Sequence, residues 1–224
     1  MVEGLALLTE TAEQVALSRM LRSFRPDLTI WPVSDLEQLR SIDASALRNA
    51  RLVAFASGVI VPADLLARFG RGAYNFHPGP PNYPGWAPAH FALYDRAETF
   101  GVTFHAMAER VDSGAILDVV SFPVPQGCTL MGLGELAYAH LLQMFEVWAE
   151  PLAREASLLP RCALSWSGRI NTRRSYRQAC DIPLDISRDE LWRRMRAFGG
   201  NHYGITPAIN LHGVTFRASP PETI

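Results

Sequence analysis

Tyr74-Asn75-Phe76-His77-Pro78-Gly79-Pro80-Pro81-Asn82-Tyr83-Pro84-Gly85-Trp86 begins as a short strand and breaks into a loop with four prolines and two glycines. Residues two apart on a strand share a face. Asn75 and His77 therefore project together at the strand's end, and Phe76 turns toward a core. An amide beside an imidazole, where a strand opens into a stiff loop, reads as a reactive site. A strand-end Asn and a satisfied surface His are the alternative reading of the pair.

Working outward, Leu52-Val53-Ala54-Phe55-Ala56 is a buried-strand run. It opens into Ser57-Gly58-Val59-Ile60-Val61-Pro62, whose proline starts a helix over 63–69. Leu5-Ala6-Leu7-Leu8-Thr9 reads as the first strand, followed by a helix with Thr11 as N-cap and Val15, Leu17, Met20, Leu21 and Phe24 as its apolar face. Leu28-Thr29-Ile30-Trp31 reads as a second strand stopped by Pro32, and residues 35–47 are polar with helical spacing. Downstream come a helix over 87–96, strands over 101–107 and 115–122, and an amphipathic helix over 131–152. This alternation predicts α/β architecture: a three-layer, Rossmann-like, mostly parallel sheet over residues 1–156. Residues 157–224 read as a small extension, with a linker over 158–169, a helix over 185–198 and a hairpin around Leu211-His212-Gly213. Ser187 reads as the N-cap of that helix, with Glu190 at the capping-box position.

The first strand-to-helix turn, Thr9-Glu10-Thr11-Ala12-Glu13, has no glycine. A dinucleotide pyrophosphate needs close backbone approach there, which argues against a nicotinamide enzyme such as a nucleotide-sugar dehydrogenase or epimerase. All 21 basic residues are arginine, so Schiff-base, pyridoxal-phosphate and P-loop lysine chemistry are excluded. Cys128, Cys162 and Cys180 are odd in number and form no CxxC pair, which argues for a reducing compartment and against a zinc site. With no signal-peptide pattern in Met1-Val2-Glu3-Gly4 and no apolar run of about 18 residues, the expectation is a cytoplasmic chain without a membrane partner. Residues 157–224 carry ten arginines against five acids, while residues 1–156 carry eleven against seventeen. That offset suits a phosphate-bearing ligand or, more simply, a solvated face.

Asp112 stands in Arg110-Val111-Asp112-Ser113-Gly114, between two strands. A carboxylate reaching His77 would raise its basicity and fix its ring, and Asn75 could hydrogen-bond an oxygen gaining negative charge. The three suit attack of a neutral amine on a carbonyl, with a proton to be carried away.

With Asn75-Phe76-His77-Pro78, Pro84-Gly85, Gly101-Val102-Thr103 and Asp112-Ser113-Gly114 in this order, the chain resembles the folate-dependent formyltransferases over roughly residues 50–155. That family includes the glycinamide ribonucleotide, methionyl-tRNA and sugar N-formyltransferases. The resemblance implies that Asn75, His77 and Asp112 are catalytic and that N10-formyltetrahydrofolate donates its formyl group to an amine. It also implies that Gly58, Val59 and Ile60 contact the pterin, with Val111 on the opposite wall. No metal is implied. Pro84 stands where many relatives have Arg, and the segment from Pro80 to Trp86 departs from the common pattern.

The tail, with Arg193-Arg194-Met195-Arg196-Ala197-Phe198, is most similar to the extension of sugar N-formyltransferases. Its arginines suit a nucleotide diphosphate, while Tyr83 and Trp86 offer stacking faces. The expected acceptor is a nucleotide-linked amino sugar, with hydroxyornithine, glycinamide ribonucleotide or another small amine next. Methionyl-tRNA is disfavoured because the tail is small for a tRNA-gripping domain, and no nucleic-acid partner is expected. A non-catalytic folate-binding module is the reading from a different class. The apolar hairpin suits a homodimer contact. His90, His105, His140, His202 and His212 read as structural histidines.

Overall fold

Gly4–Leu8 (β1) and Ala50–Phe55 (β3) are buried along their whole length, as near-continuous apolar runs require of strands covered on both faces. Leu5, Leu7, Val53 and Phe55 face one helical layer, and Ala6, Leu8, Leu52 and Ala54 face the other. The computed structural model describes residues 2–167 and 169–218; Gly168, in the expected linker, lies outside the described residues.

The remaining elements are α1 (Thr11–Phe24), β2 (Thr29–Val33), α2 (Leu36–Ser41), α3 (Ala44–Leu47), α4 (Ala63–Leu66), β4 (Ala73–His77), α5 (Pro88–Tyr94), β5 (Thr99–Ala106), β6 (Ile116–Pro123), α6 (Leu130–Arg154), α7 (Arg173–Cys180), α8 (Arg188–Phe198), β7 (Ala208–Leu211) and β8 (Val214–Arg217). The main sheet runs β2-β1-β3-β4-β5-β6, and β7-β8 form a separate hairpin. Pairs among β1 to β4 are parallel, while β5 is antiparallel to both neighbours, so the sheet is mostly parallel with one reversed strand. α1 and α6 cover one face, where Phe76 stacks on Phe104 at 4.2 Å. The short helices α2, α3 and α4 cover the other face over β2, β1, β3 and Ala73 at the start of β4. Beyond Ala73, that face carries Asn75, His77, Thr103 and His105.

Three local expectations change. Pro32 does not stop β2 but sits inside it, opposite Leu7, because β2 is an edge strand and a missing N–H is tolerated there. Glu10 rather than Thr11 is the N-cap of α1, with no side-chain capping bond. The tail contains a helix more than expected: α7 starts at a reciprocal cap between Thr172 and Ser175. It buries only Tyr176 and Cys180, too few apolar positions to show a period.

The tail packs on α5 through an aromatic group. His90 of α5 meets Tyr176, Phe198, His202 and Tyr203, and Glu190 of α8 accepts from Tyr94 Oη at 2.6 Å. Burial, with His202 adding to it, pushes His90 down to about 4. The unfolded chain takes up this proton near pH 6.5 and the folded chain only near pH 4, so stability falls as pH drops between them. The expected loss from His90 is about 3 kcal/mol. Denaturant titrations from pH 7 to pH 4 check this: His90→Phe should lose correspondingly less stability than the parent over that window.

Among the described residues no helix is long and apolar enough to cross a membrane, and no cluster of His, Cys, Asp or Glu is arranged to hold a metal ion.

Candidate active site

The uncovered half of the sheet face is the floor of a cavity of about 380 Å³. Its floor is Ala54, Asn75, His77 and His105, one wall is Ser57 to Val61, and the opposite wall is Met107 to Asp112. Ile60 and Val111 expose much of their apolar surface at the two walls. Trp86 and the tail residues Ile170 to Arg173 line the remaining side.

Asn75 and His77 share a face because they alternate on β4, and antiparallel pairing sets His105 directly opposite Asn75. Asp112 arrives differently. Because β5 is reversed, the connection to β6 leaves from beside Tyr74 at the amino end of β4 and returns over the sheet face. Asp112 adopts a left-handed φ of 44° in that connection, an uncommon conformation for a non-glycine residue. Its carboxylate bridges the two imidazoles: Oδ2 is 3.3 Å from His77 Nδ1 and Oδ1 is 3.3 Å from His105 Nε2.

All three side chains of this bridge are buried. Burial favours a protonated Asp112, but His105, His77 and the Gly85 N–H together hold it below the usual carboxylate range. Burial pushes His77 below the ordinary imidazole value, against the pull of Asp112. A neutral His77 donates from Nδ1 to Asp112, so Nε2 is left to accept a proton. The Tyr83 carbonyl, 3.4 Å from Nε2, can then receive that proton as a hydrogen bond.

Asn75 Nδ2 lies 3.1 Å from His105 Nε2, and Asn75 Oδ1 is buried without a partner. His105 Nδ1 donates to the Ala106 carbonyl at 2.9 Å, so its Nε2 accepts from Asn75 Nδ2, and the amide keeps a second N–H that can donate into the cavity.

Gly85 donates its N–H to Asp112 Oδ2 at 2.7 Å from a φ of 91°. A Cβ there would meet the Asn171 carbonyl at 2.2 Å. Gly85→Ala should therefore cost about 1–3 kcal/mol of stability and loosen Asp112. Denaturation curves and the turnover of the variant check this; unchanged values in both would contradict it.

Several sequence expectations shift. Tyr83 does not offer a stacking face in the cavity: it is 9% exposed and its ring packs on Phe100, because the proline loop folds it inward. Trp86 does line the cavity, with its ring against Tyr176 and Tyr203. Gly58, Val59, Ile60 and Val111 all line it. Among the tail arginines, Arg193 and Arg194 pair with Glu190, while Arg173 joins Arg110 at the cavity. His105, read as structural from sequence, belongs to the site. Only strand register could have revealed it, since thirty positions separate it from Asn75.

Residues 36–136, which contain Asn75, His77, His105 and Asp112, match the model of the formyl transferase family. Over that stretch the chain is similar to the formyl transferase family. The chain is 37% identical over 94 residues to methionyl-tRNA formyltransferase of Listeria innocua, a match covering 42% of this chain and 28% of that protein. The chain spans about a third of the length of the curated relatives it matches. The chain shares its fold with a sugar N-formyltransferase from Shewanella sp., with a TM-score of 0.74 at 17% identity over 98% of this chain and 97% of that one. An N-formyltransferase from Helicobacter canadensis, solved with folinic acid and dTDP-3-aminofucose, aligns with a TM-score of 0.64 at 17% identity over 95% of this chain and 85% of that one.

Proposed function

We propose that this chain is a cytoplasmic N-formyltransferase that moves the formyl group of N10-formyltetrahydrofolate to a primary amine, and that the amine belongs to a nucleotide-linked amino sugar. The observation that carries this reading is the Asp112 carboxylate bridging His77 and His105 beside the Asn75 amide, whose Oδ1 has no partner among the described residues.

The residues present fit the folate. Gly58, Val59, Ile60 and Val111 line the cavity and give a flat heterocycle apolar contact, and Asn75 Oδ1 at its floor is buried without a partner among the described residues. When bound there, the folate supplies an activated formyl carbon. The second N–H of the Asn75 amide would hydrogen-bond the formyl oxygen as it gains charge. His77 Nε2 takes the proton released by the attacking amine, which a neutral imidazole can do at physiological pH. Asp112 offsets the charge that then resides on His77 and keeps the ring in the productive tautomer.

Arg110, Arg173 and Trp86 at the same cavity suit a phosphate and a ring face, and supply the support for a nucleotide-linked acceptor. The Shewanella and Helicobacter proteins add support through their names. The identity with methionyl-tRNA formyltransferases favours methionyl-tRNA as a second reading. Incubation with formyltetrahydrofolate and UDP-, dTDP- and GDP-linked amino sugars, with methionyl-tRNA in a parallel reaction, separates the two. A mass gain of one formyl group on a sugar nucleotide supports the first reading. Silence across the sugars with a formylated tRNA supports the second, and no tetrahydrofolate release with any amine leaves the non-catalytic folate-binding module.

A further inference from the structure

The segment between α6 and α7 is tied across the site by backbone bonds. Cys162 N–H donates to Ile116 O, Ser167 N–H to Pro81 O and Asn171 N–H to Pro84 O, and Trp86 N–H donates back to Asn171 O. This strap therefore joins the proline loop after His77 to the far side of the Asp112 connection. Within it, the Trp166 indole N–H donates to the Gly114 carbonyl at 2.7 Å, two residues beyond Asp112. The indole stands edge-on to His105, with ring centres 4.9 Å apart and planes at 88°, and 5.8 Å from the His77 ring at 72°.

We propose that Trp166 is a positioning residue for the transfer reaction, holding His77 and His105 against Asp112 and excluding water from their tail-facing side. The groups facing His77 are Asp112 from the β5–β6 connection, His105 from β5, the Tyr83 carbonyl from the proline loop and Trp166 from the strap. Glu109, Arg110 and Arg173 line the same cavity. Trp166 is the uncharged wall in this set, and its ring is the one that a strap without it would replace with solvent. An aromatic ring of this size excludes water over a wide area, while its N–H fixes its tilt through Gly114.

The effect on turnover rests on the formyl-transfer reading; the effect on the imidazoles does not. Trp166→Leu keeps apolar bulk but loses the ring and the N–H, and Trp166→Phe loses only the N–H bond and part of the ring. Both are made in the full chain and compared by NMR titration of the histidine rings and by turnover against pH. In Trp166→Leu the His77 midpoint should rise toward 6.5, the acid limb of the rate profile should move with it, and turnover should fall about ten- to a hundred-fold. Trp166→Phe should lie between this variant and the parent. An unchanged His77 titration, or a wild-type turnover, in a folded Trp166→Leu overturns the proposal. If Trp166→Leu does not fold, the same criteria apply to Trp166→Phe. If the parent formylates no amine, the transfer reading falls and the titration alone decides whether Trp166 shields His77.

Discussion

Asn75→Ala loses two or more orders of magnitude in turnover, with little change in the KM for the formyl donor. In the proposed reading the donor would be held chiefly along Gly58 to Ile60 and Val111, which line the cavity, so its ground-state binding should survive removal of the amide. What disappears is a hydrogen bond that strengthens only as the formyl oxygen gains charge. One such donor is typically worth about 2.7–4 kcal/mol, a factor of roughly a hundred to a thousand. His77→Ala should fall by a similar factor, because it removes the base proposed to take the amine's proton. Single-turnover rates with saturating donor and acceptor isolate this step from binding and release. A His77→Ala enzyme with a near-normal rate would remove His77 from the reaction. A large rise in KM at constant turnover for Asn75→Ala would recast the amide as a binding contact.

The second large effect is on stability. Arg51 of β3 is fully buried and donates to five carbonyl groups: Arg71, Pro151, Leu152, Glu155 and Ser157. Three of its acceptors, Pro151, Leu152 and Glu155, lie at the end of α6 or in the first residue beyond it, and of these the Pro151 carbonyl also accepts the Glu155 N–H. The guanidinium thus caps the long helix and anchors the start of the strap to the sheet. Burial lowers its proton affinity from the usual arginine value, yet the group remains charged at every physiological pH. Arg51→Ala leaves these carbonyls without their charged donor and opens a void, which should cost about 3–5 kcal/mol. Arg51→Lys should recover only part of this, because three donors on a flexible stem cannot reproduce the planar fork. Urea denaturation of the two variants measures both values; a loss in Arg51→Ala below about 1 kcal/mol would show the clamp to be dispensable.

Much of the fold was legible because burial on both faces leaves a signature in a short stretch. The runs at 5–9 and 52–56 contain scarcely a polar residue, and the period of α6 spans several turns. The misreadings have a common origin in neighbours that are distant in sequence. Pro32 is acceptable in β2 only because β2 ends up at the edge, and α7 holds because Tyr176 meets Trp86, His90 and Phe198. Tyr83 carries the same residue chemistry in the cavity or in the core, and the turn of the proline loop decided between them.

By itself, the sequence determined the three-layer α/β plan and the pairing of Asn75 with His77, because strand alternation has a period of two and needs no partner to be read. The tertiary structure alone decided that His105 and Trp166 share that site and that Asp112 bridges two imidazoles rather than one. Those contacts depend on the reversed direction of β5, on the return of its connection across the sheet and on the path of the strap. Each joins residues whose local sequences carry no record of one another.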